Sequence, residues 1–173
     1  MASARASDTE READPVAVAR EIALRQLTAK DRTREELARA LARRNVPADA
    51  ARVVLDRFEE VGLIDDARYA ANLVESVQRR PRSRAVVRKE LSDRGVAAET
   101  VEDAIADLDA DTERDAALGL AQRKAKAVSG LPRPVAFRRV AGALARRGFG
   151  SSVVMWATAH VLDSANAESG DAG

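Results

Sequence analysis

The sequence predicts an all-α protein in which three tandem three-helix repeats are stacked into an extended array. Three observations carry this. Apolar residues recur at three- and four-residue spacing through nearly the whole 173-residue chain, and no stretch alternates with period two long enough to make a strand. Segment 33–55 lies on segment 83–105 at an offset of 50 without gaps, and a third copy follows at a further 53. Apolar residues make up 46% of the chain but aromatics only 3%. Each core is therefore a thin layer of Leu, Val, Ile and Ala, suited to stacked helix faces rather than one deep interior.

The repeat can be followed residue by residue. Leu37 falls on Val87 and Val140, and Leu41 on Leu91 and Leu144. Arg44 falls on Arg94 and Arg147, Asn45 on Gly95 and Gly148, and Val46 on Val96 and Phe149. Asn is the residue besides glycine that enters the left-handed region readily, so the turn geometry repeats along with the apolar positions.

Residues 1–13 mix Ser, Ala, Asp, Glu and Arg without periodicity and are expected to form a disordered extension. Asp14-Pro15 is a cap followed by proline at the first helical position. That helix runs to about residue 28, with Val18, Ile22 and Leu24 to Leu27 inward. Thr33-Arg34-Glu35-Glu36 has capping-box form ahead of Leu37, Ala40 and Leu41. After Asn45-Val46-Pro47, a helix over 48–61 carries Val53, Val54, Phe58 and Val61. Gly62 follows its end, and Asp65 caps a helix over 66–80 that Pro81 breaks.

Ser83 caps the next helix, which carries Val86, Val87 and Leu91 and ends at Gly95. Helices over 98–109, 112–129 and 135–147 follow, the last two separated by Gly130-Leu131-Pro132-Arg133-Pro134. Ser151 caps a final helix bearing Val153, Val154, Trp156, Ala157 and Val161. The expected plan is an extension over 1–13, repeats over 14–62, 63–110 and 111–163, and a flexible tail over 164–173.

Several function classes have no support. The chain has no cysteine, which excludes disulfides and thiolate metal sites. Its apolar runs are too short to span a bilayer and its N-terminus is of mixed charge, so a soluble cytoplasmic protein away from membranes is expected. There is no Gly-rich phosphate loop, no G-x-S-x-G and no H-E-x-x-H. His160, the lone histidine, has no His, Cys or carboxylate pair beside it in sequence and reads as a surface or capping residue. Asp65 and Asp66 stand at a helix start, where exposed amides favour negative charge. No catalytic residue, metal or cofactor is expected, and the chain does not read as an enzyme.

Charge is the remaining signal. The net charge is +1, but it is banded. Arg79 to Arg94 holds seven basic residues against two acidic ones, and Glu99 to Asp115 holds eight acids with Arg114 the only base. Arg123 to Arg147 holds eight basic residues and no acid, although solvated faces normally intersperse the two signs. The candidate contact residues are Arg79, Arg80, Arg82 and Arg84 around Pro81, Arg88 and Lys89 beyond it, then Lys124, Lys126, Arg138, Arg139, Arg146 and Arg147. Phosphate contact is the natural use of such arginines. With few aromatics nearby, the pattern favours nonspecific, backbone-directed contact with single- or double-stranded DNA over base stacking. A groove-reading helix-turn-helix protein is disfavoured, because the second helix of the middle repeat is acidic.

Gly62-Leu63-Ile64-Asp65-Asp66-Ala67-Arg68-Tyr69-Ala70 resembles the G-L-[IL]-[DN]-D-x-[RK]-[FY]-A signature of the RecX family, regulators of the RecA recombinase. Pro81-x-Ser83 with Glu90-Leu91-x3-Gly95-Val96 resembles that family's P-x-G-x6-E-L-x3-G-[IV] segment, and Gly148-Phe149-Gly150 its third-repeat turn. The resemblance spans about residues 20–163. Ser83 departs from it, since a glycine is usual there; serine keeps the helix start but allows less close backbone approach.

The resemblance implies three repeats in a curved rod that lodges in the groove of the RecA–DNA filament and bridges adjacent protomers; a monomer is expected. It implies inhibition of strand exchange, ATP hydrolysis and the co-protease activity of the SOS response. The basic residues would then face DNA or the acidic rim of the groove, and the acidic 99–115 stretch would face basic patches on the recombinase. The alternative is a stand-alone helical protein that binds single-stranded DNA without sequence preference.

Overall fold

The computed structural model describes residues 14–170, and among these it contains nine helices and no strand. The expected disordered extension and the last three residues of the expected tail lie outside the described residues. The chain divides into one compact unit ending at Asp66 and a second beginning at Ala67.

The first unit holds α1 (Pro15–Ala29), α2 (Arg34–Ala42) and α3 (Ala48–Glu60), each packed on the other two. Asp14 caps α1 by accepting from the Val16 amide. At α2 the Thr33 hydroxyl accepts from the Glu36 amide while the Glu36 carboxylate accepts from the Thr33 amide, satisfying two donors that a helix start would otherwise leave open. Leu37, Leu41, Val54, Leu55 and Phe58 form the core with Ala19 and Ala23. Val18 and Leu24, expected inward, are 36% and 42% exposed. The fully buried Ala19 and Ala23 take the inward face of α1, because a helix crossing two others closely needs small side chains at the contact. Val53 and Val61 also face solvent.

The second unit holds two further trios. In the first, α4 (Asp66–Arg79), α5 (Arg84–Asp93) and α6 (Ala98–Ala104) enclose Ala70, Val77, Val87, Leu91, Val96, Val101 and Ile105. In the second, α7 (Ala110–Lys126), α8 (Arg133–Ala145) and α9 (Ser151–Gly170) enclose Leu120, Val140, Leu144, Phe149, Val154 and Ala157. Helix α6 ends before the expected residue 109 because Asp109 leaves to cap α7, accepting from the Thr112 amide at 2.8 Å. That bond to the Thr112 amide holds the Asp109 carboxyl below the ordinary aspartate range. Helix α8 begins at Arg133 rather than 135, since Pro134 in its first turn forfeits no helical hydrogen bond. Ser151 is the first residue of α9, not its cap; the Gly150 carbonyl accepts from Val154. Residues 164–170, expected in the tail, continue that helix.

The repeat holds at its turn. Asn45, Gly95 and Gly148 have φ of 57°, 82° and 81°. Their amides donate to the carbonyls of Ala42, Ser92 and Ala145, each at 2.9 Å. Leu37, Val87 and Val140, like Leu41, Leu91 and Leu144, are fully buried. One position breaks the pattern. Thr158 stands where the earlier trios have Leu55 and Ile105, buried, with its hydroxyl unpartnered among the described residues. Trp156, beside it in sequence, is 43% exposed and stacks on His160.

Candidate functional site

The structure separates the candidate basic residues into two groups. Those of the second trio are drawn into ion pairs. Arg82 reaches Glu90 and the Ser76 hydroxyl. Arg84 and Arg88 share Glu102, Arg88 in a two-bond fork at 2.7 and 2.9 Å, and the hydrogen bond from Arg88 holds the Glu102 carboxyl below its usual range. Lys89 pairs with Asp93 one helical turn away. Of this cluster, Arg79 and Arg80 are exposed and carry no ion pair among the described residues.

The third trio presents the opposite arrangement. Lys124 on α7 and Arg138, Arg139 and Arg146 at α8 line one groove of about 380 Å³, floored by Ala127, Val128 and Ala143. No carboxylate lines it, and none of the four cations has an ion pair among the described residues. The reason is local: α8 carries no acid at all, so helix-surface pairing is absent. Four unpaired cations around one concavity form an anion-binding surface. Lys126 lies elsewhere, in a larger cavity of about 570 Å³ with His160, Gln122 and Arg133.

The two basic clusters, remote in sequence, meet at one point. The Arg147 guanidinium donates to the Pro81 carbonyl at 3.4 Å, and the Ser83 amide donates to the Arg147 carbonyl at 3.1 Å. The exposed Arg79 and Arg80 thus directly precede one side of this contact in the chain, and Arg146 directly precedes the other.

The other signature residues divide between core and surface. Gly62 has φ of 71° at the end of the first trio, Leu91 and Phe149 are core residues, and Leu63 is exposed. Arg94 pairs with Glu90 and stands over the Tyr69 ring at 5.6 Å. Asp65 and Arg68 are exposed. Asp66 does more than open α4: its carboxylate accepts from the Arg34 amide at the start of α2. Burial pushes this carboxyl above the ordinary aspartate range, opposed by the Arg34 amide. The Arg34 side chain forks to Asp56 and Glu59 on α3. Arg34 was not among the candidate residues; its place directly after the Thr33 cap was the available signal.

Three family models match the chain in order: RecX first three-helix domain over residues 19–58, second over 65–105 and third over 111–157. The chain belongs to the RecX family. Regulatory protein RecX of Streptomyces coelicolor is 42% identical over 162 residues, covering 93% of this chain and 86% of the relative. That of Thermobifida fusca is 42% identical over 141 residues, covering 81% and 76%. The crystal structure of RecX from Lactobacillus salivarius matches at a TM-score of 0.69 with 21% identity, covering 86% of this chain and 97% of that one, and shows the shared fold. As a RecX-family protein the chain is thus an all-α repeat protein of a regulatory family. Among the described residues no helix is long and apolar enough to cross a membrane.

Proposed function

We propose that this RecX-family chain restrains the RecA recombinase by seating on the RecA–DNA filament, lowering strand exchange, ATP hydrolysis and co-protease activity. The groove of Lys124, Arg138, Arg139 and Arg146 makes the contact with the DNA backbone or an acidic filament rim. The observation that carries this is the absence of any carboxylate from a concavity ringed by four unpaired cations. Cations without internal partners lose little on meeting phosphate, because no existing ion pair must be broken first.

The test is a titration of RecA ATPase on single-stranded DNA. Inhibition should be complete well below one copy per recombinase protomer. The Arg138→Glu, Arg139→Glu double variant should require roughly tenfold more protein for the same inhibition, with unchanged helicity. Inhibition that appears only when the protein coats the DNA supports the stand-alone single-strand binder instead. Inhibition untouched by the double variant removes the groove from the assignment.

A further inference from the structure

The contact between the second and third trios has a tighter geometry than a turn requires. A Cβ built on Gly148 would stand 2.3 Å from Val86 Cγ2 and 2.9 Å from the Ser83 hydroxyl. Gly148 therefore lacks a side chain for two separate reasons, its φ of +81° and the body of α5 pressed against it. Ser83 is 1% exposed, and its hydroxyl caps α5 by accepting from the Val86 amide. Its own amide, which α5 cannot satisfy, is taken by the Arg147 carbonyl. Pro81 is buried, with its carbonyl accepting from the Arg147 side chain. The serine that departs from the family pattern keeps the close approach because Gly148 leaves room for it.

From this geometry we infer that the Ser83/Arg147–Gly148 contact is a lock that makes one polyanion-binding surface out of two arginine clusters in different repeats. Closed, it holds Arg79 and Arg80 beside the groove of Arg138, Arg139 and Arg146, so one nucleic-acid backbone meets both. Open, each cluster binds alone. Gly148 and Ser83 are positioning residues here and touch no ligand. The inference rests on the proposed DNA contact but not on recombinase inhibition, and the two can fail separately.

The experiment measures fluorescence anisotropy of a labelled thirty-residue oligo-dT across a range of NaCl concentrations. Gly148→Ala introduces both the φ strain and the clash. Gly130→Ala is the matched control, since Gly130 has φ of +82° with nothing within 4 Å of a built Cβ. Val86→Ala combined with Gly148→Ala removes the methyl at 2.3 Å and leaves the φ strain and the 2.9 Å approach to the Ser83 hydroxyl.

Gly148→Ala should bind roughly tenfold more weakly, and its salt slope should flatten by about 1.4, the share of two phosphate contacts on a single strand. Gly130→Ala should match wild type, and the Val86→Ala double variant should recover part of the slope. Amide exchange read at Ser83 should be fast in Gly148→Ala and slow again in the double variant. A Gly148→Ala protein with the wild-type slope overturns the lock while leaving the proposed function standing, whereas wild type that does not bind oligo-dT overturns both. Should Gly148→Ala fail to fold, Ser83→Thr adds a methyl on the other side of the contact while keeping the capping hydroxyl, and an unchanged slope there overturns the lock equally.

Discussion

The second and third trios carry comparable densities of arginine and use them in opposite ways. From Arg82 along α5 the basic side chains meet acids supplied by their own neighbours: Glu90 for Arg82, Glu102 for Arg84 and Arg88, Asp93 for Lys89. On α7 and α8, Lys124, Arg138, Arg139 and Arg146 meet none among the described residues. What separates them is the acid content of the adjacent helix. Helix α6 is acidic and lies against α5, whereas α8 and the last turn of α7 are free of acids. A charge run is available to a partner only where its own fold has not already neutralised it.

The largest expected effect that sharpens this contrast is on stability in the second trio. Arg82 is mostly buried between Glu90 and Ser76, so Arg82→Ala leaves the partly buried Glu90 carboxylate to Arg94 alone and takes the donor from the Ser76 hydroxyl. It should lower unfolding free energy by ~2 kcal/mol in urea titrations. A loss within experimental error would mean that this arginine is free after all, and the contrast with α8 would weaken.

Next in size is the clasp at Asp66. Asp66→Ala removes the acceptor for the Arg34 amide and should cost about 1 kcal/mol. Asp66→Asn keeps an oxygen there. Because burial raises the Asp66 carboxyl, the native protein holds that proton more tightly than the unfolded chain. Stability from this group therefore falls as pH rises from the ordinary aspartate value through the raised one. The stability of Asp66→Asn relative to wild type should climb over that window and then level, as followed by thermal melts at stepped pH. A difference that shrinks with rising pH would contradict the assigned cause.

The smallest effect asks whether the second trio can be converted to the behaviour of the third. Glu102→Gln releases Arg84 and Arg88 from their shared acid and should tighten oligo-dT binding by about threefold at low salt. No change would show that those arginines are misplaced for a partner even when unpaired.

Much of the fold is legible in the sequence, because each repeat shows its turn as well as its core. Asn45, Gly95 and Gly148 occupy equivalent left-handed positions, and the buried Leu41, Leu91 and Leu144 stand at a fixed distance before them. Helix ends were harder, since Asp109 could have continued α6 or capped α7, and only packing decides. The face of α1 was misassigned because apolar spacing favours Leu24 over Ala23, while close helix crossing favours the smaller residue. The candidate site was legible as a list of basic residues but not as a division of them. Arg88 finds Glu102 on the next helix, and Ser83 finds Arg147 from another repeat; local sequence contains neither partnership.

One measurement tests the division most directly: oligo-dT anisotropy for two triple variants at about 0.1 M salt and across a salt series. Arg138→Ala with Arg139→Ala and Arg146→Ala should weaken binding more than tenfold and flatten the salt slope by about two, the share of three phosphate contacts. Arg84→Ala with Arg88→Ala and Lys89→Ala should stay within about twofold of wild type, at an unchanged slope. Equal losses from the two triples, or a greater loss from the second, would contradict the assignment of the free anion surface to α7 and α8.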